Sequence, residues 1–154
     1  MAEASAWLLA LDTELQAAVG ELQMVHLLQS PAVFEVVDAP VYCRQVVLWQ
    51  QAIIPVLDLA AWLRASNAIS TPAIVGIFAY QAADRIAYGA LPLLRVPTRR
   101  RVSDDQACAL PEEPMGWAFI AMSCFKDGDN EIPILDLQRL FSGALLNEAI
   151  KPPT

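Results

Sequence analysis

The chain has 154 residues, 56% of them apolar and 18% charged, with a formal net charge of −7. That much apolar material supports one domain, or two small packed barrels, and it excludes global disorder. The acidic balance argues against general nucleic-acid binding, which needs a basic face, and is compatible with a basic protein partner.

Residues 6–11 read as a strand, Asp12-Thr13-Glu14 as its turn, and residues 16–19 as a second strand. Leu22, Val25 and Leu28 recur at a helix-like interval, so a short helix is expected over 21–28, ended by Ser30-Pro31. Strands follow near 33–37, 46–49 and 52–57. The polar stretch 65–72 reads as a joint, and strands return over 73–80 and 85–91. Residues 97–114 form a charge-dense connection with a short strand around Val102. A hairpin is expected from 117–125 and 131–135 around Lys126-Asp127-Gly128-Asp129-Asn130. A helix over 136–146 and a flexible tail over 147–154 complete the reading.

Chemistry-bearing residues are sparse. Cys43, Cys108 and Cys124 match no zinc or disulfide framework. His26, the sole histidine, together with a cysteine supplies the alternative reading of a small enzyme or ligand-binding barrel. The run from Asp127 to Glu131 is no EF-hand, because the positions requiring glycine and glutamate hold Ile132 and Gln138. Arg99-Arg100-Arg101 reads either as a patch for an acidic partner or as a solvated loop balanced by Asp104 and Asp105. No stretch is uniformly apolar over the roughly 20 residues that a spanning helix needs. Nor is there a basic, apolar leader pattern at the start, so a cytoplasmic location is expected.

One pattern occurs twice. Ile53-Ile54-Pro55-Val56-Leu57-Asp58-Leu59 runs from strand-forming residues through a proline to an aspartate placed to cap a helix carrying Trp62 and Leu63. Ile132-Pro133-Ile134-Leu135-Asp136-Leu137, followed by Leu140 and Phe141, repeats it. Because proline lacks a backbone donor, both are expected at strand edges or bulges.

These segments resemble the CheW-like domain, the adaptor of bacterial chemosensory arrays. The resemblance rests on residues 18–22, Met24-Val25-His26-Leu27-Leu28, the 53–59 segment, residues 73–77, residues 86–90 and Ile134-Leu135-Asp136-Leu137. It implies a mainly β fold over 6–146, with two small five-stranded β-barrels sharing a core and short helices at the seams. The first half would span about 6–64 and the second 73–146. It also implies a non-catalytic adaptor, without cofactor or metal, binding a histidine kinase of the CheA type and/or a chemoreceptor, with self-association as a further possibility. Nucleic-acid binding and membrane insertion are not expected. The chain departs from the family at its partner-contact positions. Leu48-Trp49-Gln50-Gln51 stands for Asn-Leu-Arg-Gly, Leu27-Leu28 follows Val25-His26 where an acidic residue is usual, and Ala90-Leu91-Pro92 follows Gly89 in place of Val-Asp. An apolar partner-binding site is therefore expected at Val25, Leu28, Trp49, Gln50 and Ile54.

Overall fold

A computed structural model describes residues 3–66 and 72–141. The first half contributes β1 (Glu3–Ala10), β2 (Gln16–Gly20), β3 (Met24–Gln29), β4 (Val33–Glu35), β5 (Gln45–Trp49), β6 (Ala52–Val56) and α1 (Leu59–Arg64). The second contributes β7 (Ile74–Ala82), β8 (Arg85–Leu93), β9 (Thr98–Ser103), α2 (Trp117–Ile120), β10 (Ala121–Asp127), β11 (Asn130–Leu135) and α3 (Leu137–Phe141). The strands form two curled sheets, ordered β9-β1-β2-β11-β10 and β3-β7-β8-β6-β5-β4.

The two orders are one pattern. Exchanging the halves maps β1-β2 onto β7-β8, β9 onto β3, and β10-β11 onto β5-β6. Each barrel therefore joins an opening hairpin from one half to a closing hairpin from the other. The joins are short parallel contacts, Ile134↔Ala18 and Val56↔Ala90. Closure is matched too: β4 lies beside β5, and in the other barrel Ala107 bridges Phe125 of β10. The sixth strand of the larger sheet is this short closing piece, formed as a strand there and as a lone bridge in its counterpart.

Three clusters of buried side chains follow from the alternation of the strands. Val47, Ile54, Val56, Val75, Ile77 and Ala90 fill the six-stranded barrel, while Ala6, Ala18, Phe125 and Ile132 fill the five-stranded one. The opposite faces of β7 and β8, through Phe78, Leu91 and Leu93, join Leu9, Val19, Trp117 and Leu140 in a core shared by both barrels. Gly89 permits a close approach there, since a Cβ on it would lie 2.5 Å from the Phe141 ring.

Both prolines lie inside their sheets, which corrects the edge-strand expectation. The closing hairpins have two-residue loops, Gln50-Gln51 and Gly128-Asp129, flanked by the paired residues Trp49↔Ala52 and Asp127↔Asn130. Counting along the alternating ladder puts Pro55 and Pro133 at positions not hydrogen-bonded to the hairpin partner. Their missing donors would face the parallel neighbour, where pairing is confined to the next residue, Val56 or Ile134. The proline ends that ladder without orphaning a bond.

Other expectations also shift. Residues 24–29 are a strand because β3 pairs with β7, and Leu22 is 90% exposed in the preceding turn. There the Gln23 side chain accepts from the Gly20 amide at 2.8 Å. Thr98–Ser103 is a full strand on β1. Trp117–Ile120 is a helical turn that buries Trp117 and Ile120 in front of β10. The helix expected over 136–146 is seen as α3, and its remainder, the tail and residues 67–71 of the expected joint lie outside the described residues.

The paired caps form as expected. Asp58 accepts from the Ala61 amide at 3.1 Å and Asp136 from the Arg139 amide at 3.2 Å. Burial pushes the Asp58 carboxyl above its ordinary range, against the opposing pull of the Ala61 amide. A folded pKa raised above the unfolded one favours folding at low pH, and that contribution is lost as pH rises through the folded value. Asparagine keeps the capping oxygen without the buried charge. Asp58→Asn is therefore expected to be at least as stable as the parent at pH 7 in urea denaturation, with the gap closing as pH falls. Asp58→Ala should lose about 1 kcal/mol. Gly89→Ala displaces Phe141 and breaks its stacking on Tyr80, whose ring centroid is 5.4 Å away. The same measurement should show a cost of about 1–3 kcal/mol, typical of overpacking.

Candidate functional site

The five residues expected to bind a partner fall on different faces. Ile54 is 3% exposed and lies in the interior of the six-stranded barrel, with Leu28 and Trp49 packed against the same cluster. Val25 is 42% exposed beside an irregularity in the β3–β7 register, and Gln50 is exposed in the β5–β6 turn. For Ile54 the expectation is corrected: along a strand, one residue separates inside from outside, and its neighbour Ile53 carries the exposure.

Trp49 closes one end of this barrel. Its ring centroid is 5.2 Å from that of Tyr88, edge to face, and 6.0 Å from that of His26. These rings bring β3, β5 and β8 together at the barrel mouth and hold the base of the β5–β6 turn. Gln50 and Gln51 then follow with φ of 50° and 65°, the two left-handed residues that a twisted two-residue hairpin loop requires.

The outer wall of the hairpin is the sharper feature. Phe34, Val46 and Pro55 are cross-strand neighbours in one row over β4, β5 and β6. Leu48 and Ile53 face each other in the next row. Leu48 is 58% exposed, Ile53 69% and Phe34 50%. Val36 and Val37 continue the apolar surface beyond β4, where the Val36 amide donates to the Arg44 carbonyl at 2.6 Å.

The five-stranded barrel supplies an internal comparison. Its equivalents of Leu48 and Ile53 are Lys126 and Glu131, paired in the same register and both exposed. Its equivalents of Val46 and Pro55 are Cys124 and Pro133, both buried. The fold accepts an ion-forming pair at this position, and the six-stranded barrel carries two large aliphatic residues there. Sequence reasoning missed this face because it followed one side of each strand. The signal was the run Val46-Val47-Leu48-Trp49 to Ala52-Ile53-Ile54-Pro55, apolar on both alternating faces as in a strand covered on both sides.

The arginine run has other partners than those expected. Arg99 reaches Glu21 at 2.5 Å, Arg100 reaches Asp127 at 3.5 Å and Arg101 reaches Glu3 at 3.4 Å. Successive arginines thus join the edge strand β9 to three different elements. Arg64 likewise holds Asp12 at 2.6 Å, tying α1 to the β1–β2 turn. Burial pushes the Asp12 carboxyl up, but Arg64 and the Leu15 and Glu14 amides outweigh it and bring it below its ordinary range. That contribution is present above the unfolded pKa and is lost as pH falls through the folded one.

His26 is exposed on β3 and makes its ring contact with Trp49, while Cys43 lies in a 3-10 turn and Cys108 touches Cys124. Among the described residues no hydrogen bond joins His26 to a cysteine, and no three His, Cys, Asp or Glu side chains gather as metal ligands. No helix among them is long and apolar enough to cross a membrane.

No family model matches the sequence, and no curated protein matches it. The structure does have a solved counterpart. It superposes on the crystal structure of the scaffolding protein TtCheW from Thermoanaerobacter tengcongensis with a TM-score of 0.69, covering 92% of this chain and 89% of that one at 15% identity. The chain has the CheW-like fold, mainly β and built from two curled barrels around a common core.

The arginine pairs are exposed, so each should contribute less than about 1 kcal/mol. Arg99→Ala, Arg100→Ala and Arg101→Ala are expected to lower the urea midpoint only slightly, with the differences fading in high salt.

Proposed function

We propose that this chain is a non-catalytic adaptor of a bacterial chemosensory assembly, in a chemotaxis or pilus-motility pathway. The observation supporting this most directly is the exposed Leu48–Ile53 pair where the matching hairpin of the same molecule carries Lys126 and Glu131. Two large aliphatic residues facing water on a paired hairpin weaken solubility without filling the core, and they suit a protein contact. The fold shared with a scaffolding protein supports the same reading. The partner is the regulatory domain of a CheA-type histidine kinase, a chemoreceptor, or both.

The contact surface in this proposal is the outer wall of β4, β5 and β6, centred on Phe34, Leu48 and Ile53. Trp49 and Gln50 take part mainly by setting the hairpin, through the ring contacts of Trp49 and the turn at Gln50. Leu28 supports the barrel interior beneath it, and Val25 adds exposed apolar surface on β3. With Leu48 where the resembled family has asparagine and uncharged Gln50 where it has arginine, charge-steered recognition gives way to apolar burial.

Binding to a purified kinase regulatory domain and to a receptor signalling fragment, measured by calorimetry across a salt series, tests the proposal. Leu48→Lys with Ile53→Glu transplants the pair found in the other barrel. Its melting temperature should match the parent, while affinity falls at least tenfold, or about 1.4 kcal/mol. Parent binding should change little between low salt and physiological ionic strength. Unaltered affinity in the double variant, or binding abolished by salt, would remove this surface. Replacing His26 by phenylalanine, which keeps a ring against Trp49, together with Cys43 and Cys124 by serine should leave binding intact. Loss of cellular function in that variant, with melting and binding unchanged, would favour the small-enzyme alternative.

A further inference from the structure

A second feature is independent of the apolar wall. The segment after β9 crosses to β10 through the Ala107↔Phe125 bridge, and the Cys108 amide donates to the Cys124 carbonyl at 3.0 Å. Continuing that register sets Cys108 opposite Cys124, and the Cys108 thiol contacts the Cys124 sulfur at 3.1 Å. Cross-strand neighbours have Cα atoms about 4.5–5.5 Å apart, inside the range of about 4.4–6.8 Å that a disulfide spans. The sulfurs need to approach by only about 1 Å to reach bonding distance.

The two thiols differ in access. Cys124 is 3% exposed, whereas Cys108 is only partly buried. Burial, and then the hydrogen bond from Cys108, push the Cys124 thiol up to about 12, so it remains protonated at neutral pH. Solvent reaches Cys108 first, and Cys124 is placed to resolve what forms there. Cys43 stands apart, in the connection between β4 and β5.

We propose that Cys108 and Cys124 are a peroxide-sensitive pair that forms a reversible cross-strand disulfide closing the five-stranded barrel. Hydrogen peroxide transfers one oxygen to the Cys108 thiol, giving a sulfenic acid and one water. The Cys124 sulfur then bonds to the Cys108 sulfur, and the sulfenic oxygen leaves with the Cys124 thiol proton as a second water. Both thiols are oxidised by one electron each, and the peroxide takes up the pair. A small-molecule dithiol reverses the step by exchange. The disulfide makes covalent a closure otherwise held by the Ala107–Phe125 bridge, the Gln106 side chain donating to the Lys126 carbonyl and the Arg100–Asp127 ion pair. It also cross-links the denatured chain over the intervening loop.

The test treats the folded full-length protein with hydrogen peroxide and then alkylates the remaining thiols after denaturation. Of the three free thiols, one should still react, and peptide mapping should join Cys108 to Cys124 and leave Cys43 alkylated. The oxidised protein should melt at a higher temperature, and dithiothreitol should return it to the starting value. Cys108→Ser should abolish both the cross-link and the melting shift, and Cys124→Ser should leave a sulfenic acid on Cys108 that dimedone traps. If Cys124→Ser does not fold, as judged by circular dichroism, the Cys108→Ser result decides alone. Sulfinic acid on Cys108 with Cys124 still free, a cross-link to Cys43, or an unchanged melting shift in Cys108→Ser would each overturn the proposal.

Discussion

The fold depends on two parallel contacts, Val56 against Ala90 and Ile134 against Ala18. At each, a closing hairpin from one half of the chain meets an opening hairpin from the other. Parallel neighbours need a crossover between them, and the shared core is what fills the space under those crossovers. Neither half holds all the strands of one barrel. Separation would cost both interiors as well as the common core of Leu9, Val19, Phe78, Leu91, Trp117 and Leu140. The prolines sit at the residue before each parallel contact, so the ladder ends where the barrels diverge.

Some of this was legible in the sequence because it depends on local chemistry. Pro55 with Asp58 and Pro133 with Asp136 specify the same strand end and helix cap without reference to distant residues, and the repeat pointed to two similar units. The resemblance to CheW-like domains carried the barrel architecture, which periodicity alone could not reach. Residues 24–29 were misread because Leu22, Val25 and Leu28 have helical spacing by coincidence. Leu22 belongs to a turn and buries nothing, and pairing with β7 decides the conformation. Strand β9 was hidden because Arg99, Arg100 and Arg101 mask the alternation, and their carboxylate partners come from remote parts of the chain.

Ile54 was read as a contact position for a related reason. On a hairpin apolar on both faces, composition cannot say which face turns inward. Trp49 resolves it: by packing against the rings of His26 and Tyr88 it fixes the parity of β5, which sends Val47 inward and Leu48 outward. The cross-strand partner rule then sends Ile54 inward and Ile53 outward.

Having two copies of one hairpin in a single chain separates what the fold requires from what it merely tolerates. Deep inward positions agree in both copies, since Val47, Ile54 and Val56 correspond to Phe125, Ile132 and Ile134, all apolar, while at the mouth Trp49 corresponds to Asp127. Outward, Val46 and Pro55 match Cys124 and Pro133, and the divergence is confined to the next row, with Leu48 and Ile53 in one copy and Lys126 and Glu131 in the other. A requirement of folding would apply to both. The aliphatic pair is therefore no requirement of the barrel interior, which agrees with the contact surface proposed above. In the proposed reading, the ring contacts of Trp49 with His26 and Tyr88 would hold the hairpin base in shape before association and so reduce its ordering cost. An apolar surface held in that way would suit the scaffold role proposed above.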